Sequence, residues 1–336
     1  MTQIERAAVI GAGQMGHGIA QVLALGGVRV ALYDSVEGAT AFAAQRIASN
    51  LAVLVKAGLA DAEAAGAAPE LIGSASSLDE AVDGAALVVE AIAEELEPKQ
   101  RLFAQLDARS DPHAILATNT SYFRVTEVGA STTRPERVVG SHFFMPADVI
   151  PLVEVVAGER SDPDRVRETA EIWRALGKLP ILVWKDLPGF VANRLQLAIT
   201  REALALVAAG VVSPADLDLA VRSGFGLRYP ISGVLEQREL SGWSLHLEAA
   251  RSLYPTLAAD QTPVPMLEAL VAAGEVGLRF GRGLYEWGDA DPEAIRQRRH
   301  AQALQVLQLV GPWLFAPHEA RDRDPSLVAP PGDASA

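Results

Sequence analysis

Cysteine is absent from the 336-residue sequence, which excludes disulfides, thiolate catalysis and thiolate metal sites. No apolar run reaches the roughly 18 residues that a membrane helix needs, and the N-terminus lacks the apolar core of a secretion signal. Basic residues are few, with 29 Lys and Arg against 42 Asp and Glu and a net charge of −13. Because a polyanion would be repelled, we expect no nucleic-acid partner. The lack of apolar segments leads us to expect a cytoplasmic protein with no membrane partner. No metal site is predicted.

Hydrophobic residues make up 49% of the chain and charged residues 21%, which is typical of a globular protein large enough for two domains. Short apolar runs alternate with segments of helical spacing as far as residue 185, which predicts an α/β domain with a Rossmann-like, doubly wound and mostly parallel sheet. Residues 186–290 show helical spacing and turns, which predicts an all-α second domain. We expect an extra helix over 291–316 and a disordered tail over 317–336.

A glycine cluster separates the first predicted strand from the first predicted helix. Gly11-Ala-Gly13-Gln-Met-Gly16 fits the pattern G-x-G-x-x-G, in which the three glycines serve a tight turn, a close approach to a pyrophosphate, and helix–strand packing. Alone, the pattern is also that of an ordinary βα turn. Asp34 ends the second predicted strand, where a carboxylate would accept a hydrogen bond from a ribose 2′-hydroxyl and repel the extra phosphate of NADP. The sequence therefore predicts a dinucleotide site that favours NAD.

One of the six histidines stands apart from the others. His142 follows the apolar pair Val138-Val139, and twelve residues later Glu154 interrupts the apolar run 152–156. A carboxylate buried in such a strand needs a partner. Paired with His142, it would fix the tautomer of the imidazole and stabilise the cation formed when the ring acts as a general base. The alternatives are a structural salt bridge and a Glu154 that faces solvent.

Two further polar side chains are candidates for holding a reacting oxygen. Asn119-Thr-Ser121 follows the predicted strand 114–117, at the sheet edge where ligands bind in such folds. Ser121 could hydrogen-bond the oxygen, although Asn-Thr-Ser is also ordinary turn chemistry. Asn193 lies at the start of the helical region, with a surface asparagine as the alternative.

These motifs together resemble the 3-hydroxyacyl-CoA dehydrogenase family from about residue 5 to about residue 288. The resemblance rests on ordered segments: residues 11–20 (GAGQMGHGIA), 88–92 (VVEAI), 119–121 (NTS), 142–144 (HFF), 152–155 (LVEV), 176–178 (LGK) and 186–194 (DLPGFVANR). It implies NAD, a 3-hydroxy to 3-keto interconversion on a small molecule, fatty acid metabolism and a homodimer formed through the helical domain.

The resemblance also assigns roles to individual residues. It implies that His142 is the base, that Glu154 is its acidic partner, and that Ser121 and Asn193 complete the catalytic site. Near the cofactor it places, in addition to the glycines and Asp34, three residues: Glu90, Asn119 and Arg279, the last where the family usually carries a lysine.

Departures from the family pattern concern the substrate. Met145 replaces the asparagine of the usual His-Phe-Phe-Asn-Pro run, and Pro151 replaces a lysine. In residues 51–90 the only basic residue is Lys56, among seven acidic ones, which is a poor surface for the phosphates of CoA. The sequence also resembles the branch that oxidises free hydroxy acids such as L-carnitine, L-gulonate and pyridine carboxylates. There Arg228 could bind a free carboxylate, or it could be a surface arginine after a glycine turn.

Overall fold

The computed structural model describes residues 4–316 of the chain. This part divides into two compact units after Asn193. The tail predicted for 317–336 lies outside the described residues. No helix within 4–316 is long and apolar enough to cross a membrane.

The first unit is built on one eight-stranded sheet with the order β3-β2-β1-β4-β5-β6-β7-β8. All neighbouring strands are parallel except β6 and β7, which are antiparallel. The strands are β1 (Arg6–Ile10), β2 (Arg29–Tyr33), β3 (Ile72–Ser74), β4 (Leu87–Glu90), β5 (Ile115–Thr118), β6 (Val138–Phe143), β7 (Leu152–Ala157) and β8 (Leu179–Val183). Every residue of β4, β5 and β6 is buried, as expected for central strands covered on both faces.

Helices connect these strands. They are α1 (Gly16–Leu25), α2 (Ala39–Lys56), α3 (Ala62–Ala67), α4 (Leu78–Val82), α5 (Leu96–Arg109), α6 (Val125–Val128) and α7 (Pro163–Ala175). The predicted fold class, a Rossmann-like and mostly parallel sheet followed by a helical region, is confirmed.

The segment after α2 contains a short helix, α3, that the sequence pattern does not indicate. Asp61 accepts hydrogen bonds from the first-turn N–H groups of α3, and this cap starts a helix of only six residues. The edge strand β3 and the helix α4 were not predicted either. Three and five residues are too few to show a hydrophobic period, so the sequence carries no clear signal for them.

The second unit is helical. The first of its helices, α8, starts two residues before the division. The helices are α8 (Ala192–Ala208), α9 (Pro214–Ser223), α10 (Val234–Ser241), α11 (Trp243–Leu253), α12 (Pro265–Ala272) and α13 (Pro292–Leu314). Within residues 194–316 the structure contains isolated β-bridges but no strand. The extra helix predicted after residue 290 is α13.

A buried ion pair fixes α5 against the segment that leads into β6. Asp107 accepts hydrogen bonds from Arg137 Nη2 at 2.8 Å, Arg134 Nε at 3.0 Å and Thr133 Oγ1 at 2.6 Å. Burial raises the pKa of Asp107, but the hydrogen bonds from Thr133 and Arg137 outweigh it and hold this pKa well below its usual range. The pair therefore anchors the start of the strand that carries His142.

Replacing Asp107 with asparagine is expected to lower the free energy of unfolding by about 3–5 kcal/mol, because the buried Arg137 guanidinium loses its counter-charge. Since the pKa of Asp107 is lowered in the folded state, its contribution is present above the unfolded-state pKa of about 3.9 and is lost as the pH falls below it. Urea unfolding at pH 7 and pH 3 measures both effects. The exposed pair of Asp79 and Arg109 supplies the control, and Asp79→Asn should show no comparable loss.

Candidate active site

The turn after β1 has room for glycine alone at two positions. Gly11 has φ 107°, and a Cβ atom there would lie 2.5 Å from the carbonyl oxygen of Ala91. A Cβ on Gly16 would lie 1.7 Å from the carbonyl oxygen of Gly11. The first and third glycines of the motif therefore let α1 start directly against the turn, as the pattern predicts.

The same turn leaves an open approach to the start of α1. Gly13 is exposed, and no atom lies within 4 Å of the position that a Cβ atom would take there. The helix N-cap, Met15, makes no side-chain cap, and the first turn carries no acidic residue. Uncapped N–H groups and the positive end of the helix dipole are what a pyrophosphate needs, so this turn fits a dinucleotide.

Asp34 stands beside that turn at the end of β2. Its Oδ2 accepts a hydrogen bond from the Ala12 N–H at 2.7 Å, and its Oδ1 accepts one from the Val36 N–H at 2.9 Å. The residue is partly exposed, and each carboxylate oxygen can accept a second hydrogen bond. The position therefore fits ribose hydroxyls next to the phosphate turn.

The antiparallel pairing of β6 with β7 places His142 directly opposite Glu154. His142 Nδ1 lies 2.7 Å from Glu154 Oε2, and the two residues are 3% and 0% exposed. Glu154 Oε1 accepts hydrogen bonds from the backbone N–H groups of Val191 at 3.0 Å and Ala192 at 2.8 Å. Both carboxylate oxygens are thus occupied, and Nε2 is the imidazole nitrogen left for proton transfer. The alternative of a solvent-facing Glu154 does not hold.

The turn that supplies those two N–H groups is strained at one residue. Phe190 has φ 48°, which is uncommon for a residue other than glycine, and its ring lies 5.7 Å from the His142 ring. Residues held in this region often mark functional sites. Here the left-handed residue turns the chain so that the next two N–H groups reach Glu154.

Ser121 and Asn193 join the same network. Asn193 Nδ2 donates a hydrogen bond to the carbonyl oxygen of Ser121 at 2.9 Å, and Asn193 directly follows the turn that binds Glu154. Asn119 Oδ1 accepts a hydrogen bond from the Phe143 N–H at 2.8 Å, next to His142. The four predicted catalytic residues therefore belong to one connected arrangement, which runs from the turn after β5 through residues 190–193 to the imidazole.

Glu90 ends β4 opposite Ile10 of β1, next to the glycine turn, and its role toward the cofactor stays a prediction. It is fully buried, and its oxygens accept hydrogen bonds from Lys99 Nζ at 2.6 Å, the Ile92 N–H at 2.8 Å and Thr118 Oγ1 at 2.7 Å. The structure thus gives this carboxylate an internal role at the end of β4. It neutralises the buried ammonium of Lys99, which is 1% exposed.

Glu94 is the carboxylate that contacts the Ser121 turn, and the sequence analysis missed it. It accepts hydrogen bonds from the Ser121 N–H and Thr120 Oγ1, both at 2.6 Å, and lies 3.0 Å from Lys99 Nζ. Burial raises the pKa of Glu94, but these hydrogen bonds and the Lys99 charge outweigh it and lower the pKa overall. A signal existed: Lys99 falls on the apolar stripe of α5 with Phe103 and Leu106, where a lysine requires a buried acid.

The two arginines predicted near the ligands lie in the second unit. Arg228 is exposed on the turns between α9 and α10, and its N–H donates to the carbonyl oxygen of Phe225. Arg279 is exposed on the single helical turn Leu278–Phe280. Their roles remain predictions.

Comparison with known proteins identifies relatives over nearly the whole described chain. The NAD-binding domain model of 3-hydroxyacyl-CoA dehydrogenase matches residues 6–187, and the C-terminal domain model of the same family matches residues 189–287. A probable 3-hydroxybutyryl-CoA dehydrogenase from Bacillus subtilis is 35% identical over 85% of this chain and 98% of its own length. The resemblance inferred from the ordered motifs is confirmed.

A second kind of relative acts on a free carboxylic acid. The 5-formyl-3-hydroxy-2-methylpyridine 4-carboxylate 5-dehydrogenase of Mesorhizobium japonicum is 32% identical over 91% of this chain and 98% of its own length. A crystal structure of an enzyme of that name, described as an NAD+-dependent dismutase, superposes with a TM-score of 0.86 at 31% identity, over 92% of this chain and 99% of the other.

Proposed function

Because the chain belongs to the 3-hydroxyacyl-CoA dehydrogenase family, we propose that it is an NAD-dependent oxidoreductase acting on a CH–OH group. The reaction interconverts a 3-hydroxy and a 3-keto group, and an L-3-hydroxyacyl-CoA thioester is the leading substrate class. The observation that carries this proposal is the buried contact of 2.7 Å between His142 and Glu154.

The cofactor site is proposed at the glycine turn. Gly11 and Gly16 shape the turn, Gly13 and the start of α1 receive the pyrophosphate, and Asp34 binds the ribose while repelling the extra phosphate of NADP. These residues would hold NAD, which would supply a hydride acceptor for the carbinol carbon or, as NADH, a hydride donor. A preference for NADH over NADPH in both binding and turnover is the expected result.

The proton chemistry is proposed for the network on β6 and β7. His142 Nε2 takes the hydroxyl proton, and Glu154 stabilises the imidazolium that results. The two N–H groups of residues 191 and 192 bind the second oxygen of Glu154 and hold the carboxylate in its orientation. Ser121 and Asn193 hold the reacting hydroxyl oxygen, so that its proton faces His142 Nε2.

The test is a substrate panel followed by NADH absorbance. Acetoacetyl-CoA with NADH, and 3-hydroxybutyryl-CoA with NAD, should both be turned over. Free 3-hydroxy acids and pyridine carboxylates are assayed beside them. An enzyme that turned over no thioester and no free acid in either direction would contradict the proposed activity.

A second candidate keeps this chemistry but takes a free hydroxy acid, with Arg228 binding its carboxylate. The superposition on the pyridine-carboxylate enzyme supports it, because that structure aligns with 92% of the chain. The family models match only residues 6–287, so the likeness to this enzyme extends beyond the part common to the family. The relatives as a whole do not favour it over the first candidate. If it holds, Arg228→Ala should lower kcat/KM for the free acid about 10- to 100-fold, and Arg222→Ala on α9 should not. An unchanged kcat/KM in Arg228→Ala would remove the carboxylate role.

The helical region is proposed to form a homodimer. Large apolar side chains on it are exposed in the single chain: Leu197 on α8, Leu235 and Leu240 on α10 and Leu245 on α11 are each at least 64% exposed. Apolar surface on this scale usually marks an interface. Light scattering should give twice the mass of the chain. The proposal also includes the predicted division into a cofactor domain (1–185) and a substrate and dimerisation domain (186–290). It includes a cytoplasmic location and a role in fatty acid metabolism as well.

A further inference from the structure

Lys178 is a buried charged residue to which the chemistry above gives no role. It is 6% exposed and lies between α7 and β8. Its Nζ donates hydrogen bonds to two backbone carbonyl oxygens, those of Ala147 at 2.5 Å and Ile150 at 3.1 Å. Both carbonyls belong to residues 144–151, which connect β6 to β7. This connecting loop joins the strand of His142 to the strand of Glu154.

We propose that Lys178 is a positioning residue for the His142–Glu154 pair, acting through the carbonyl groups of the connecting loop. The inference rests on the proposed function, because it assigns Lys178 a part in the same reaction. Lys178 does not touch the imidazole or the carboxylate. It fixes the loop that sets how the ends of the two strands face each other.

The connecting loop has few hydrogen bonds of its own. Its internal backbone bonds run from the N–H groups of Val149 and Ile150 to the carbonyl oxygen of Pro146. The carbonyls of Ala147 and Ile150 are satisfied by the Lys178 ammonium instead. Without that donor the carbonyl of the buried Ala147 and that of the partly buried Ile150 would both lose this partner, at a cost in free energy.

The connecting loop also packs against α1, the helix that follows the glycine turn. A Cβ atom on Gly18 of α1 would lie only 3.0 Å from the Cβ of Ala147, so loop and helix are in close contact. Gln14 Nε2, in the glycine turn, donates to the sulfur of Met145. A shift of the loop would therefore displace the proton-accepting pair relative to the turn proposed to hold the cofactor.

The charge on Lys178 strengthens this contact at neutral pH. Burial lowers the pKa of Lys178 to about 8, while the carboxylate of Asp148, in the same loop, acts in the opposite direction. His17 of α1 also interacts with Asp148, and burial lowers the pKa of His17. On the β6 side, the ammonium lies 5.9 Å from the centroid of the Phe143 ring, next to His142. The hydrogen bonds to the loop are thus charge-assisted, and a neutral side chain of equal volume would not replace them.

The test compares Lys178→Met, Lys178→Arg and Lys56→Met. Lys178→Met keeps an unbranched side chain, one atom shorter, but removes the donors, so kcat per NADH-binding site should fall about 10- to 100-fold, as expected when reacting groups shift by a fraction of an ångström to an ångström. KM and the Kd for NADH should change little. Lys178→Arg, which keeps charge and donors, should recover part of kcat. Lys56 lies at the exposed end of α2, and Lys56→Met should behave as the wild type.

A spectroscopic readout makes the test independent of turnover. The proton between His142 Nδ1 and Glu154 gives a downfield NMR signal that His142→Gln identifies by its loss. In Lys178→Met this signal should shift or broaden while the Kd for NADH is retained. If the wild type is inactive on every substrate, the proposed function fails and this signal alone decides the role of Lys178.

The inference is overturned by variants that keep both the wild-type signal and the wild-type kcat per site, whatever their melting temperature. That outcome would assign Lys178 to stability alone. If Lys178→Met does not fold, Lys178→Gln decides in the same way. A wild-type signal and kcat per site in that variant contradict the proposal, because its shorter, uncharged amide cannot keep both carbonyl contacts, and a shift of either supports it.

Discussion

Replacing His142 with glutamine is expected to lower kcat by about 10²–10⁴-fold, the range that a general base contributes. Glutamine has a similar size and can still hydrogen-bond Glu154, so the buried carboxylate keeps a partner and the fold is retained. It cannot accept the hydroxyl proton at neutral pH. The Kd for NADH should stay at the wild-type value, because the glycine turn is formed by β1 and α1.

The measurements are kcat with each active substrate and NADH binding by fluorescence. His113→Gln serves as the control, since His113 is exposed in the turn before β5. Full turnover in His142→Gln would remove the proposed base. If neither the variant nor the wild type turned over any substrate while both bound NADH, the chain would be a non-catalytic NAD-binding protein. Such a protein would not need the connected arrangement of His142, Glu154, Ser121 and Asn193.

The catalytic pair could be predicted because both of its members disturb a pattern. Glu154 interrupts an apolar strand, and its distance of twelve residues from His142 fits a hairpin return. The observed antiparallel register places the two residues opposite each other. A buried acid in a strand is costly without a partner, so the local sequence pattern predicts the contact between the two strands.

The contact of Glu94 with the Ser121 turn could not be predicted in the same way. Glu90 and Glu94 both follow the apolar residues of β4 within five positions, and the sequence does not show how each carboxylate is oriented. That depends on Lys99 of α5, whose ammonium lies between the two acids at 2.6 and 3.0 Å. The hydrogen bonds that hold Glu154 could not be predicted from the sequence either. They depend on the left-handed backbone of Phe190 and on backbone N–H groups that almost any residue could supply.

Replacing Glu154 with glutamine tests the acidic member of the pair. The expected effect follows from the backbone N–H groups of Val191 and Ala192, which donate to Glu154. The amide of the new side chain has one oxygen and one NH₂ group in place of two oxygens. The oxygen must face the N–H donors of Val191 and Ala192, because an NH₂ group there would leave both backbone donors buried without an acceptor. The NH₂ group must therefore face His142 and donate to Nδ1.

With Nδ1 as an acceptor, the neutral imidazole of His142 carries its proton on Nε2, the nitrogen that has to take the substrate proton. We therefore expect Glu154→Gln to fold normally, to bind NADH and to lose about 10³–10⁴-fold in kcat, as a fixed wrong tautomer does in other His–carboxylate enzymes. Glu97→Gln, at an exposed pair on α5, is the matched control. Because the two residues act as one unit, the double variant with His142→Gln should be no slower than the slower single variant. Multiplying losses in the double variant would mean that Glu154 acts independently of the imidazole, and the tautomer argument would then be wrong.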